Sequence, residues 1–384
     1  MATCEKVRMG CGGCQLLALP YPQQLAQKQR QVVSLLGGLG PVLPILGMEY
    51  PFHYRCKVTA TFTAGPKGEL QCGIYAQGSH RVVPVSSCLL QDEEAERAVQ
   101  AILQAARQCR YAAYDEDRGT GLVRHVLVRR GLYTGQLLAV LVTAHSQLPG
   151  SRRFAGLVRA ACPSLTTLVQ NINPRRTSVV LGSQQKVLFG PGAIEDELCG
   201  YTFRISPTSF YQVNPRQTER LYRCAVEFAG LTGREQVLDA YCGTGTIGLL
   251  AAQKAGQVVG VELNPAAVRD AHVNARRNQV RNIHFETEDA TLYMEQLARQ
   301  GTAPDIVLMD PPRTGSTPAF LAALCLLAPR RVVYISCDPV TQARDARCLA
   351  QNGYVLRKAQ PVDFFPHTQH IECIALFERG SAAP

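Results

Sequence analysis

Apolar and polar positions change rhythm along this chain, and the changes divide it. Over residues 21–36 apolar side chains recur every three or four positions opposite a Gln/Lys/Arg face, and Gly37-Gly38 follows, which predicts an amphipathic helix. Over 54–85 the period drops to two. Lys57-Val58-Thr59-Ala60-Thr61-Phe62, Gly73-Ile74-Tyr75 and His80-Arg81-Val82-Val83-Pro84-Val85, broken at Gly65-Pro66, Gly68 and Gly78, predict a meander of short strands. A helix is expected over 92–109. A hairpin is expected over 122–128 and 137–142, with Arg124, His125, Arg129 and Arg130 projecting from it, and further strands over 166–173, 178–182 and 186–190. Near Ser206 the character changes. Asn214-Pro215 opens a helix to Gly230, after which strands over 237–240, 258–262, 283–286, 306–309 and 332–335 alternate with helices, and a terminal pair lies near 354–359 and 371–377. The pattern predicts a mixed, β-rich domain over 1–205 and an α/β domain with an open parallel sheet over 206–384. Part of 15–50 is expected to pack on the second domain.

Open parallel sheets bind ligands beyond the carboxyl ends of their strands. Asp239, Glu262, Asp289, Asp310 and Cys337 fall at those ends. The turn Tyr241-Cys242-Gly243-Thr244-Gly245 has two glycines that let a ligand lie against the backbone, but it lacks the third glycine of a pyrophosphate cradle. Glu262 suits a ribose diol and Asp289 an adenine amino group, which together favour S-adenosylmethionine over a dinucleotide. Asp310-Pro311-Pro312-Arg313 is a stiff loop fit to hold a planar base. Cys337 stands where an apolar strand meets Asp338-Pro339, an N-cap and first-turn proline. The helix's unpaired N–H groups are expected to favour its thiolate and make it a nucleophile. Glu372 adjoins an apolar strand, where partial desolvation is expected to lift its pKa into the range of a general base. His367 and His370, with no third ligand nearby, suit capping or substrate contact better than metal.

Composition narrows the setting. No stretch combines the basic and apolar segments of a signal peptide, and the longest apolar run, 320–328, is too short to span a bilayer, so a soluble cytoplasmic protein is expected. Fifteen cysteines, an odd number at scattered spacings, argue for a reducing compartment with some thiols given to metal or catalysis. The net charge is +10, and residues 1–200 hold 21 Lys and Arg against 13 Asp and Glu, so the front half is expected to touch a polyanion. Cys4, Cys11 and Cys14 form a C-x6-C-x2-C set whose glycines let two thiolates face one centre. Zinc and a cubane iron–sulfur cluster both accept four thiolates, and the fourth ligand is open among Cys88, Cys56 and Cys72.

Five motifs taken together resemble the uracil-5-carbon RNA methyltransferase family. They are Ser209-Phe210-Tyr211-Gln212-Val213-Asn214-Pro215, Asp239-Ala240-Tyr241-Cys242-Gly243-Thr244-Gly245, Met309-Asp310-Pro311-Pro312-Arg313, Ser336-Cys337-Asp338-Pro339 and His370-Ile371-Glu372. The cysteine set, Gly78-Ser79-His80-Arg81 and Cys88 extend the likeness to the [4Fe-4S] form found in the 23S ribosomal RNA enzymes. The resemblance implies a Rossmann-like S-adenosylmethionine-dependent methyltransferase domain behind a β-rich, RNA-contacting domain that carries the cluster on Cys4, Cys11, Cys14 and Cys88. It implies Cys337 as nucleophile towards carbon 6 of a uracil and Glu372 as the base that takes the carbon 5 proton. Gln212, Tyr241, Gly243, Gly245, Glu262 and Asp289 would hold the methyl donor, and Asp310 the donor or the base. Many relatives carry an RNA-binding barrel ahead of the cysteines; here the set starts at residue 4, and the form without the barrel is expected, as a monomer with RNA as partner. Competing expectations are the same reaction on transfer RNA, an RNA amino-group methyltransferase, which leaves Cys337 and Glu372 without a task, and a non-catalytic iron–sulfur RNA-binding protein.

Overall fold

The computed structural model describes residues 3–177 and 179–380. In chain order, one turn of helix, α1 (Glu5–Arg8), precedes α2 (Tyr21–Leu36). The strands β1 (Lys57–Ala64), β2 (Leu70–Tyr75) and β3 (Val82–Pro84) lead to α3 (Glu93–Gln108), then β4 (Val123–Arg130) and β5 (Leu137–Thr143). Next come α4 (Ser151–Ala161), β6 (Leu165–Ile172), β7 (Gln184–Phe189), β8 (Ile194–Leu198) and β9 (Tyr201–Ile205). The rear half runs α5 (Pro215–Ala229), β10 (Gln236–Ala240), α6 (Thr246–Ala252), β11 (Gln257–Glu262), α7 (Pro265–Arg277), β12 (Ile283–Thr287) and α8 (Ala290–Gln300). It closes with β13 (Ile306–Met309), α9 (Pro318–Leu327), β14 (Arg331–Ser336), α10 (Pro339–Gln351), β15 (Tyr354–Val362) and β16 (Glu372–Arg379). No helix among the described residues is long and apolar enough to cross a membrane.

The chain forms two compact units, one of residues 1–18, 51–198 and 203–215, the other of 19–50, 199–202 and 216–384. The first unit holds a mixed sheet in the order β3-β2-β1-β4-β5-β6-β7, antiparallel except for the parallel pair β5/β6. Alternation in β1 sends Val58, Ala60 and Phe62 inward against α3 and leaves Lys57, Thr59 and Thr61 on the other face. β5 is buried at every position, because α3 and α4 cover one side and Ile194, Ile205 and Tyr211 pack on the other.

Three expectations change at this level. Arg124, His125 and Arg129 are buried, not projecting: Arg124 donates to the carbonyls of Asn173 (2.7 Å) and Arg175 (2.6 Å) and pairs with Glu116, while Arg129 donates to that of Ser209 (2.6 Å). A sheet covered on both faces has no outward side for them. Ser178, in the strand expected over 178–182, lies outside the described residues, and 179–182 form no strand. There Asn171 exchanges hydrogen bonds with the backbone of Gly182 and Asn173 donates to the carbonyl of Val179, so side-chain amides replace ladder bonds and pairing starts at Gln184. Finally, α4 is a helix additional to those expected, although Phe154, Ala155 and Val158 sit on one face after Pro149-Gly150.

The second unit holds a sheet in the order β12-β11-β10-β13-β14-β16-β15. The strands from β12 to β14 are parallel, whereas β16 runs antiparallel to both β14 and β15, so the sheet is mixed and not wholly parallel. Local signals set the helix starts. Asp338, Asn264, Asp289 and Thr317 each accept a backbone N–H of the helix that follows, and a proline occupies the first turn of α7, α9 and α10. Helix α2 belongs to this unit, with Val32 and Leu36 in the core beside Phe320, Tyr334 and Phe377.

Candidate active site and thiol cavity

The order reverses at β10, whose neighbours are β11 on one side and β13 on the other, and this is where an open α/β sheet leaves a crevice. In-register pairing of Ala240 with Val261 and with Met309, and of Met309 with Tyr334, brings Tyr241, Glu262, Asp310 and Cys337 to one rim. Tyr241 takes a positive φ of 65°, a strained conformation for a non-glycine residue, and its ring lies 5.1 Å from that of Phe320. Gly245, at φ 80°, has the Phe285 ring 2.7 Å from where a Cβ would be, whereas at Gly243 that direction is open space.

Glu262 accepts the backbone N–H groups of Gly243 (3.1 Å) and Asn264 (2.8 Å), so the carboxylate is preset at the turn. Asp289 caps α8 through one oxygen, accepting from Thr291 (2.9 Å) and Leu292 (3.2 Å). Asp239 is buried beneath the turn, one oxygen lacks a hydrogen-bond partner, and its pKa is pushed up to about 8 by burial, with Asp310 and Glu262 adding to the rise. Gln212 lies half-buried in the first unit.

The decisive pairing is β14 with β16. Ile335 faces Ile374 and Ser336 faces Cys373, so the chain leaves this ladder with Cys337 just past its last pair and Glu372 just before it on the partner strand, close enough for the two groups to interact electrostatically. Cys337 is half-buried, and burial pushes its pKa up to about 11; Glu372 and Asp310 add to the rise, while Arg313 opposes it. Burial first, and then the two carboxyls, thus favour the thiol, against the pull towards the thiolate expected from the helix N-terminus. Glu372 is buried, and desolvation and then Asp310 lift its pKa well above the usual carboxylate range, again against Arg313. Asp310 is raised to about 7 by burial. Arg313, whose role the sequence left unassigned beyond its place in the motif, is hydrogen-bonded to Nδ1 of His370 (3.0 Å). His367 is buried and linked to Gln24.

In the first unit Cys4, Cys11, Cys14 and Cys88 line one cavity of about 280 Å³, which Arg55 and Lys57 also border. Cys56 and Cys72 are buried outside its lining. Burial, then the neighbouring Cys88 and, more weakly, Cys11 and Cys4, push Cys14 up to about 12, against the opposing charge of Arg55. Among the described residues no group of three or more His, Cys, Asp or Glu side chains is arranged to hold a single metal ion.

The sheet order, glycine turn and strand-end carboxylates define the α/β fold of S-adenosylmethionine-dependent methyltransferases. A Pyrococcus abyssi tRNA (uracil-54, C5)-methyltransferase, solved with S-adenosyl-L-homocysteine, superposes with a TM-score of 0.79 at 24% identity, over 96% of this chain and 86% of that one. An RNA methyltransferase of Halalkalibacterium halodurans is 43% identical over 374 residues, covering 96% of this chain and 81% of the relative. One of Clostridium acetobutylicum is 39% identical over 376 residues, covering 96% and 82%. The model of the tRNA (uracil-5-)-methyltransferase family matches residues 179–380, and the chain belongs to that family as an RNA methyltransferase.

Proposed function

We propose that this protein methylates carbon 5 of a uridine in 23S ribosomal RNA with S-adenosylmethionine as donor, through a transient bond between Cys337 and carbon 6. The observation that supports it is the antiparallel register of β14 and β16, which ends with Ser336 facing Cys373 and so brings one thiol and one buried carboxyl, Cys337 and Glu372, together at the strand ends. An amino-group methyltransferase attacks with a lone pair its substrate already has and needs neither group.

The residues at the turn fit the donor: open space at Gly243, a preset Glu262 carboxylate, and the second oxygen of Asp289. Tyr241 and Gln212 are assigned to the same task on family likeness. When bound, S-adenosylmethionine supplies an electrophilic methyl group on a cationic sulfur. Cys337 gives up its proton to bulk water, with the Arg313 guanidinium as the nearby charge that favours the anion. The sulfur then adds to carbon 6, and the carbon 5–carbon 6 electron pair moves towards the carbonyl at carbon 4, which makes carbon 5 nucleophilic. Asp310, held near neutral pH, orients the base. Once carbon 5 carries the methyl group, Glu372, having first lost its own proton to water, takes the carbon 5 proton as a carboxylate made strongly basic by its burial, the double bond re-forms, and the Cys337 sulfur leaves as the thiolate. Both faces of the ring must be reached, so the nucleotide is flipped from its stack.

Cys4, Cys11, Cys14 and Cys88 are assigned to a [4Fe-4S] cluster. What supports this reading is that all four thiols border one cavity of about 280 Å³ in the first unit, together with the family likeness of the cysteine set. Bound there, it supplies cross-links that brace the front unit.

The test is tritium release from carbon-5-labelled uridine in 23S ribosomal RNA. Wild type releases tritium, Cys337→Ala releases none, and Glu372→Gln stalls as a methylated covalent adduct. Turnover by Cys337→Ala would refute the nucleophile, and release from transfer RNA alone would refute the substrate.

A further inference from the structure

We propose that Tyr21, Gln24 and Lys28 of α2 are positioning residues that hold the turn over 363–371 where Glu372 can reach its proton, an inference that rests on Glu372 being the base. Helical spacing sets 21, 24, 28 and 32 on one face. Its far end, Val32 and Leu36, is ordinary apolar core. The near end carries a buried amide and a buried ammonium, which are costly groups to bury unless their partners are fixed.

Apart from the carbonyl of Leu19 and the backbone N–H of Met48, which donates to the Tyr21 hydroxyl, the partners that carry the argument lie in the turn that runs into β16. Lys28 Nζ donates to Asp363 Oδ1 (2.5 Å) and to the carbonyl of Phe365 (3.1 Å), and the Tyr21 hydroxyl donates to Asp363 Oδ2 (2.7 Å). Gln24 Oε1 accepts the backbone N–H of His367 (3.0 Å), and its Nε2 donates to His367 Nδ1 (3.0 Å) and to the carbonyl of Leu19 (2.8 Å). His367 is bound at both its backbone and its ring, at a positive φ of 65° that a non-glycine residue keeps only when its surroundings enforce it. The turn is closed internally by Thr368, whose hydroxyl donates to the carbonyl of Phe365 (2.8 Å) and accepts the N–H of His370 (3.2 Å). Beyond it come His370 against Arg313, and then Glu372.

An apolar pair of equal volume would hold α2 to the sheet about as stably as Lys28 and Asp363 do. Directional bonds add a fixed height and rotation for the turn, and catalytic geometry is sensitive to this: a displacement near 1 Å costs about 100-fold in rate. Cys337 follows the end of β14 and takes no part in these hydrogen bonds, so its addition to the ring does not draw on them.

The experiment separates the two steps. With methyl-labelled donor and uridine RNA, the double variant Lys28→Met/Asp363→Leu forms the methylated covalent adduct at the wild-type rate but releases it about 10- to 100-fold more slowly, so adduct accumulates on denaturing gels while KM for RNA is unchanged. Tyr21→Phe, which removes one hydroxyl, shifts the same ratio in the same direction by less, and it decides the matter if the double variant does not fold. Wild-type release by a folded variant, or equal loss of adduct formation and release, would overturn the proposal. If Glu372→Gln itself releases product at the wild-type rate, the reading of Glu372 fails instead.

Discussion

Alkylation of Cys337 tests the electrostatics of the site most directly. Its pKa is pushed from an ordinary 9.0 up to about 11, by burial first, then by Glu372 and Asp310. Iodoacetamide reacts with the thiolate, so two units make the reactive fraction at pH 7.5 about 100-fold smaller than for an ordinary thiol. In the ligand-free enzyme the rate at Cys337 should climb about tenfold per pH unit through pH 9 with no plateau. With fifteen cysteines in the chain, it must be read peptide by peptide by mass spectrometry. Glu372→Gln removes the stronger of the two carboxyl influences and should move the curve to lower pH. Its effect grows as pH rises and the wild-type carboxyl ionises. S-adenosylmethionine should speed the reaction and the neutral S-adenosylhomocysteine should not, because only the sulfonium brings positive charge. A plateau near pH 8 in the ligand-free protein would show that the helix N-terminus controls this thiol after all, and would refute the dominance of burial and the two carboxyls.

Asp239 keeps its proton in the folded chain up to about pH 8, while an unfolded carboxyl loses it near 3.8, so the folded form binds more protons between those values and this group's contribution to stability falls as pH rises through the window. Urea midpoints should show Asp239→Asn gaining on wild type from pH 4 to pH 8; a constant difference would refute the shift. Phe320 is fully buried in the core and its ring packs on Tyr241, so Phe320→Ala should cost about 3–5 kcal/mol in denaturant unfolding and weaken donor binding. Cys14→Ser should abolish iron content and visible absorbance of anaerobically purified protein, whereas Cys72→Ser, outside the cavity lining, should retain both.

Features that depend on neighbours a few residues away are legible in the sequence. Apolar runs rich in β-branched residues mark β11, β13 and β14 to within a few residues, and the caps at Asp289 and Asp338 start the helices that follow through bonds spanning only two or three positions. Gly243 and Gly245 announce a close-approach turn, and the five motifs carry the family. Distant pairing settles the rest, and it exists only in the folded chain. Nothing local says that β16 inserts between β14 and β15, yet that insertion and its register are what set Cys337 against Glu372. The same holds for charge: Arg124 and Arg129 read as surface cations until a second layer covers their sheet, and the upward shift at Cys337 follows from its burial and then from two carboxyls that the sequence places tens of residues away. Helix α2 is legible as a helix. That its Gln and Lys face turns inward to hold the 363–371 turn is not, because polar residues are placed inside only by partners, and those partners lie more than three hundred positions along the chain.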